Sequence, residues 1–518
     1  MKVLFVWPNK DIFGIKPFGL SLLSAIAKEL GCETRLFDTT RFDFGCVDNT
    51  KAGEAAKMFK PVNLEKYGHK KKKLDLSDEF LKALKDFKPN CLAFSVLNDE
   101  YMVAKEISDI AKSACSDIPI IWGGKFPTIC PEKALDIVSV DFICLGEGIE
   151  AFADFIKSFQ SGKSLYNINN IWAKKRKKII RNEIRPLKNN LDDLPYLDWE
   201  IFDRSQFYRP FNGRAYRSGD HTLNWGCPKQ CTYCNNYFFH SLYNNKYFMR
   251  RYSIKRIIEE LKYLKKVYNL EFFTFLDEDF LMRPAEELRD LSEAYSHEVN
   301  LPNTIMTNPK SVSKEKVGYL KRMNCVNASV GIEIGDLALR AKLLKRVDSK
   351  EDIIRAFSLL TNAGIRTSSF NLLGIPFETR QTYDKTVQLN REAGVQYPYI
   401  GFFYPFEGTE LRDIAIKEGF FDAGTGDYIP YYRDKPALKF DNLAEEELIE
   451  MRNVFVLYIK LPKYYAPYIR RSEKQDNEGI ALRKKLLEIY DRTVWANNGW
   501  FKDDGNREKY LSELKMID

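Results

Sequence analysis

The first 160 residues alternate short apolar runs with amphipathic stretches. Residues 3–7 form a continuous apolar run that Pro8 ends, and a helical pattern follows over 20–30. Further strand-like runs fall at 34–38, 91–97, 118–122 and 141–145, with helical patterns near 79–87, 100–113 and 131–138 between them. Strands with no polar face, alternating with helices, predict an α/β fold with a doubly wound, Rossmann-like parallel sheet. Such sheets receive ligands beyond the carboxyl ends of their strands. Residues 41–78 are polar, lysine-rich and irregular, and are expected to be an insertion. A connector over 161–215 follows, in which 190–199 (Asn-Leu-Asp-Asp-Leu-Pro-Tyr-Leu-Asp-Trp) is expected to pack the flanking domains together. From about 216 to 415 the alternation resumes. A short run at 223–225 is followed by strands at 272–276, 304–306, 328–332, 367–373 and 399–404, with helices at 254–268, 284–297, 314–323, 350–363 and 380–393. Residues 416–518 read as mainly helical.

Composition narrows the class without deciding it. A chain of 518 residues with 44% hydrophobic and 29% charged residues has the balance of a soluble globular protein of about three domains. The opening apolar run is too short for a signal-peptide core, and no stretch reaches the ~18 apolar residues of a membrane span. A net charge of +8 permits anionic substrates but makes no case for nucleic acid. Lys70 to Lys73 read as a solvated loop.

The chemistry is concentrated in Cys227-Pro228-Lys229-Gln230-Cys231-Thr232-Tyr233-Cys234. This loop holds three of the ten cysteines, and the other seven are scattered as a reducing cytosol allows. A thiolate is a soft iron ligand, and a 4Fe-4S cluster normally takes one thiolate per iron. Three thiolates on one loop leave an iron open for chemistry. A zinc site using these cysteines with His221 or His240 is the alternative, but zinc sites usually pair two CxxC knuckles and no second pair exists here.

The CxxxCxxC loop with its aromatic resembles the signature of the radical S-adenosylmethionine (SAM) superfamily. The resemblance implies a partial (β/α)6 barrel in which the open iron chelates SAM and cleaves it to a 5′-deoxyadenosyl radical. It implies SAM contacts at Tyr233, at Asp277 after the second barrel strand, at Glu333 after the fourth and at Ile375 after the fifth. Asp279 and Glu378 are as readily helix-terminal charges or caps.

Three strand ends upstream carry small residues suited to close ligand approach: Ser95 to Asn98, Gly123-Gly124-Lys125-Phe126-Pro127-Thr128, and Gly146-Glu147-Gly148. Ahead of such a cysteine loop they resemble the cobalamin-binding domain of cobalamin-dependent radical SAM proteins. That implies cobalamin contacts at Ser95, Asn98, Gly123, Gly124, Thr128, Gly146 and Glu147. The chain departs from the family pattern at Lys125-Phe126, where an x-His pair is usual, and at Ile149. Only His69 of the four histidines lies in this domain, and the motif supplying an axial histidine is absent, so no histidine is expected on cobalt.

The resulting expectation is a cytoplasmic, cobalamin-dependent radical SAM enzyme, most simply a methyltransferase acting on an unactivated carbon. Its partners would be a small metabolite, which the net charge permits to be anionic, and an electron donor such as flavodoxin or ferredoxin. Rearrangement, cyclisation or oxidation without methyl transfer is the alternative, and a nucleic-acid-modifying protein ranks last. The Tyr- and Arg-rich helical cap (Tyr458, Tyr464, Tyr465, Tyr468, Arg470, Arg471, Trp495, Trp500) could close the barrel mouth, although core packing explains these aromatics as well.

Overall fold

The computed structural model describes residues 1–12, 14–45, 49–176, 178–244, 249–424 and 435–517. Its first sheet contains β1 (Lys2–Trp7), β2 (Glu33–Asp38), β3 (Cys91–Ser95), β4 (Ile120–Gly123), β5 (Phe142–Cys144), β6 (Ile171–Lys175) and β7 (Lys178–Ile180). The strand order is 2-1-3-4-5-6-7; the first five run parallel, and the β6–β7 hairpin adds antiparallel at one edge. This is the doubly wound arrangement that the apolar runs predict. β1, β3 and β4 are almost wholly buried because helices cover both faces.

The second sheet holds β8 (Tyr208–Phe211) and β9 (Arg214–His221). A separate antiparallel pair, β10 (Asn224–Trp225) with β11 (Arg250–Arg251), flanks the cysteine loop. The second sheet continues with β12 (Phe272–Phe275), β13 (Asn303–Thr307), β14 (Cys325–Glu333), β15 (Arg366–Leu373) and β16 (Tyr397–Phe402). Its order is 16-15-14-13-12-9-8, with six parallel strands and β8 antiparallel at the edge. The first barrel strand is therefore β9, not the run at 223–225. Its sequence, Arg-Ala-Tyr-Arg-Ser-Gly-Asp-His, has no apolar run, because its buried end is polar. Asp220 takes Lys16 Nζ at 3.0 Å and Arg209 Nη2 at 2.8 Å, all three side chains lying out of solvent.

One apolar core runs without a break from Val3, Phe5 and Trp7 through the connector residues Leu191, Leu194, Leu197 and Trp199 into Leu261, Phe273 and Phe275 of the barrel. The connector also supplies polar ties between the two domains. Asp198 accepts from Ser24 Oγ (2.6 Å) and Lys28 Nζ (2.9 Å), Leu197 N donates to Glu260 (3.0 Å), and Arg256 donates to the Leu194 carbonyl (2.9 Å).

The 41–78 segment is more structured than its composition suggests. It contains a helix at Asn49–Ala55 and a turn at Glu65–Tyr67. It reaches the C-terminal helices through Lys57 on Asp491 (2.7 Å) and sets Phe59 against Tyr399 of β16 at 5.6 Å between ring centroids. Lys71 is not merely solvated, since it donates to the carbonyls of Lys10 and Thr40 at 2.7 and 2.8 Å. Cys46 lies outside the described residues. The C-terminal helices, led by Glu445–Lys460 and Asn477–Thr493, build their own core on the outer face of β15 and β16. Tyr458, Tyr464, Tyr465, Tyr468 and Trp495 pack in or against that core.

Candidate functional site

Gly226, in the left-handed region at φ +85°, turns the chain from β10 into the cysteine loop. Short bonds hold the loop's shape. Cys234 N donates to the Cys231 carbonyl (3.0 Å), and Thr232 Oγ1 donates to the Leu343 carbonyl (2.6 Å) while its own carbonyl accepts from Leu411 N (2.9 Å). Cys227 and Cys231 are buried and Cys234 half-buried. Burial pushes the thiols of Cys227 and Cys234 up to about 12 and about 11, and raises Cys231 also. The pocket thus favours neutral thiols until a cationic centre is present, which suits ligands of an iron cluster.

Among the described residues neither nearby histidine joins the cysteines in a metal-binding group. His240 Nε2 donates to the Cys227 carbonyl at 2.9 Å, and His221 faces Glu260 at 3.5 Å. Among the described residues no three His, Cys, Asp or Glu side chains converge as around a single ion. In a four-iron cluster each thiolate has its own iron, so its cysteines need not converge. The donor set fits a 4Fe-4S cluster better than zinc.

Beside the loop, β14 ends in a bulge between Gly331 and Glu333, and Glu333 sits at φ +67°, a strained position for a residue with a side chain. The bulge turns its carboxylate toward Arg346, whose Nη1 lies 3.2 Å from Glu333 Oε1 and 3.1 Å from Tyr233 Oη; Nη2 donates to the Gly331 carbonyl at 2.9 Å. A Cβ on Gly331 would meet Glu333 Oε1 at 2.3 Å, so a side chain there would push the carboxylate out of its place against Arg346. Ile375 is buried in a small apolar cluster with Ile334 and Phe403, and Tyr233 packs against it. The structure therefore gathers Tyr233, Glu333 and Ile375 around one wall. Arg346 organises that wall, and no motif in the sequence announces it.

The carboxylates after β12 divide their work. Both oxygens of Asp277 accept from Leu223 N at 3.1 Å, and burial raises its carboxyl to about 6. It braces the approach to the cysteine loop. Asp279 is no helix cap: it takes Thr307 Oγ1 and Ser311 Oγ, each at 2.7 Å, and Lys229 at 3.4 Å. Glu278 accepts from Asn236 Nδ2 at 2.6 Å, and burial raises its carboxyl while Lys125 draws it back down. Glu378 accepts from Gly374 N (2.7 Å) and Ile375 N (3.3 Å), closing the turn that carries Ile375.

A cavity of 470 Å³ lies where the strand ends of the first sheet meet the barrel. Ser95, Gly123, Gly124, Gly146 and Glu147 line one side; Asn224, Gly226, Leu276 and Glu278 line the other. Two glycines are sterically required. Gly124 (φ +100°) would place a Cβ 2.8 Å from the Val96 carbonyl oxygen, and Gly146 (φ +67°) would place one 2.1 Å from Tyr243 Oη. Thr128 lies behind the wall: its hydroxyl accepts from Gly146 N (3.1 Å) and donates to the Gly124 carbonyl (2.8 Å). Asn98, in the turn after Leu97, does not line the cavity. Glu147 pairs with Arg250 and accepts from Lys188 N (3.2 Å), and its own N–H donates to Tyr243 Oη (3.1 Å), so it clasps the two domains. Asn224 Nδ2 is buried with no partner in the protein, a donor left for a ligand. Apolar walls, glycine turns and that spare donor fit a macrocycle with a broad apolar face and hydrogen-bonding groups at its rim. His69 is not available to it, since its nitrogens meet the carbonyls of Ser205 (2.6 Å) and Ile12 (3.2 Å).

Comparison with known proteins agrees with this layout. The Radical SAM superfamily model matches residues 225–389, and the B12 binding domain model matches residues 55–156. An uncharacterized methyltransferase of Pyrococcus horikoshii, PH0819, is 23% identical over 80% of this chain and 87% of its own length. The anaerobic magnesium-protoporphyrin IX monomethyl ester cyclase of Rubrivivax gelatinosus is 21% identical over 81% and 75%. In fold the chain is similar to OxsB, a cobalamin-dependent SAM radical enzyme solved with aqua-cobalamin and SAM (TM-score 0.65, 14% identity, 99% of this chain and 75% of that one). It is also similar to the radical SAM methyltransferase TsrM of Kitasatospora setae, solved with tryptophan and a SAM analogue (TM-score 0.61, 15% identity, 95% and 90%). The chain belongs to the radical SAM superfamily, in the group that carries a B12-binding domain ahead of the barrel. More particularly, it is a cobalamin-dependent radical SAM enzyme. Among the described residues no helix is long and apolar enough to cross a membrane.

Proposed function

We propose that the enzyme transfers a methyl group to an unactivated carbon of a small metabolite. The observation that carries this reading is the shared cavity, whose walls come from the B12-binding strand ends on one side and from the approach to the cysteine loop on the other. Two relatives described as methyltransferases support it. When bound, the cluster and SAM supply a substrate radical and cobalamin supplies the methyl group. The chain's own residues hold and orient. Cys227, Cys231 and Cys234 would be the iron ligands. Tyr233, Glu333, Arg346 and Ile375 form the wall proposed to seat SAM. Ser95, Gly123, Gly124 and Gly146 offer close backbone approach, with Glu147 beside them in the wall and Thr128 fixing those turns from behind. Burial raises the Glu278 carboxyl above the ordinary carboxylate range, and Asn236 holds it at the cavity wall. The electron would come from a small donor such as flavodoxin or ferredoxin in a reducing cytosol.

The test is anaerobic reconstitution with iron, sulfide and hydroxocobalamin, then metal analysis and assay with methyl-labelled SAM. About four irons and one cobalt per chain, and label in an acceptor, are expected. Cys231→Ala should lose the cluster absorbance and all SAM cleavage. The cyclase relative favours a second reading, reaction without methyl transfer. SAM cleavage that leaves every label in SAM or methionine would choose it.

A further inference from the structure

The residues of β15 divide between two faces. Thr367, Ser369, Asn371 and Leu373 are buried, and Asn390 of the helix Arg380–Glu392 accepts from Ser369 Oγ at 2.6 Å and donates to Asn371 Oδ1 at 2.8 Å. Phe370, on the opposite face, is 36% exposed. Because β15 lies between β14 and β16 it has no free edge, so a side chain exposed on its uncovered face opens into the barrel. Phe370 stands beside Gly331 of β14 and Tyr399 of β16, three residues of one row on one face. At the ~4.8 Å spacing of neighbouring strands, Phe370 lies one strand from Gly331 and Tyr399 two strands, or roughly 10 Å. Gly331 is the residue over which Glu333 and Arg346 build the wall proposed to seat SAM.

The 41–78 segment completes this row. Its Phe59, 42% exposed, faces Tyr399 at 5.6 Å between centroids, and Phe370 meets the same ring edge-on at 6.0 Å and 86°. The Phe59 ring is backed by Gly53, where a Cβ would lie 2.4 Å from it. Tyr399 leans over Gly401, where a Cβ would lie 3.4 Å from its hydroxyl, and the described residues offer that hydroxyl no bond. Two phenyl rings left a third or more exposed beside a buried wall are not explained by core packing. The row itself carries no charge, and Glu333 and Arg346 at its end offset one another. We infer that Phe59, Phe370 and Tyr399 seat the substrate, which presents to them a flat, uncharged aromatic or conjugated ring with Tyr399 Oη as its polar contact. Rings set at angles to one another favour a further ring, stacked on one and edge-on to the next, over a saturated body. A ring seated there keeps its substituents beside the SAM wall. The inference rests on that wall and on the proposed reaction, and deepens it by naming the class of acceptor.

The experiment is equilibrium dialysis of the reconstituted enzyme against three probes built on one ring skeleton: 2-naphthol, its saturated counterpart 2-decalol, and 2-naphthoate. 2-Naphthol should bind once per chain, and roughly threefold or more tighter than either of the others. Phe370→Ala and Phe59→Ala should each weaken it by a similar factor, with melting temperature and iron content as in wild type. Tyr399→Phe, which keeps the ring, should weaken it roughly threefold through loss of the hydroxyl contact. Phe59 is exposed on the 41–78 segment, so its variant remains decisive if Phe370→Ala folds poorly. Failure of 2-naphthol to bind, or equal binding by wild type and all three variants, would overturn the inference. Equally tight binding of 2-decalol would make the row a general apolar lining, and tighter binding of 2-naphthoate would mean a charged acceptor; either overturns it too. If wild type takes up no iron, the site reading beneath the inference fails, and metal analysis shows this independently of any probe.

Discussion

Glu378 is 2% exposed, and the two backbone N–H groups it accepts do not offset the loss of water, so burial raises its carboxyl to about 7. In the unfolded chain the same group ionises near 4.5. A raised pKa gives stability that is present below the unfolded value and lost as pH rises through the folded one. Between pH 4.5 and about 7 this one group should cost the fold about 3 kcal/mol. Glu378→Gln removes that dependence. The urea midpoint of the variant relative to wild type should therefore climb across this interval, while Asp277, shifted in the same sense, is common to both proteins and cancels. A difference in midpoint independent of pH would show that the carboxyl is not held protonated. The residue was visible in the sequence as a candidate helix-terminal charge or cap, but its role was not. A cap and a turn-closing acceptor share one sequence position, and only the 2.7 Å bond from Gly374 N tells them apart. Arg346 was invisible altogether, because an arginine after a helix has no local pattern and its partners Tyr233 and Gly331 lie 113 and 15 residues away.

At the scale of elements, the strand-end glycines separate what the fold needs from what a ligand needs. Gly123 has an ordinary backbone, and a Cβ there would lie 3.7 Å from its nearest neighbour, the Phe94 carbonyl oxygen, while the residue lines the interdomain cavity. Gly124 has neither freedom. Gly123→Ala should thus fold with an unchanged melting temperature and retain less cobalamin after desalting, whereas Gly124→Ala should lower the melting temperature itself. Equal cobalamin retention by Gly123→Ala and wild type would remove this strand end from the cofactor site. The parallel strands were legible because burial on both faces leaves short apolar runs, too short for helices and alternating with amphipathic stretches. β9 was not legible. Its Ser218, Asp220 and His221 are buried by polar partners contributed from other parts of the chain, so its burial leaves no hydrophobic trace.

At the scale of the whole molecule, Asp220 joins what the two sheets contribute. Lys16 comes from the loop after β1, Arg209 from β8 and Asp220 from β9, and Lys16 also lies over the rings of Trp199 and Phe207 at 5.4 and 4.8 Å. The two cations hold Asp220 down at about 2, against the desolvation that would raise it, while burial drags Lys16 down to about 8. Removing one member of a buried charge set strands the rest, at a cost of about 3–5 kcal/mol. Asp220→Asn should accordingly destabilise the protein by that order near pH 6, where Lys16 is charged. The loss should shrink near pH 9, because Lys16 by then has given up its proton and has less to lose; Arg209 stays charged, so some loss remains. Because both sheets wall the 470 Å³ cavity, the same substitution should also weaken cobalamin retention, although Asp220 lines no part of that cavity. Measured together, the two losses decide what the triad does. A drop in stability with retention intact would make it a local prop of β9, and both falling together would make it the hinge pin that keeps the two cofactor walls facing one another.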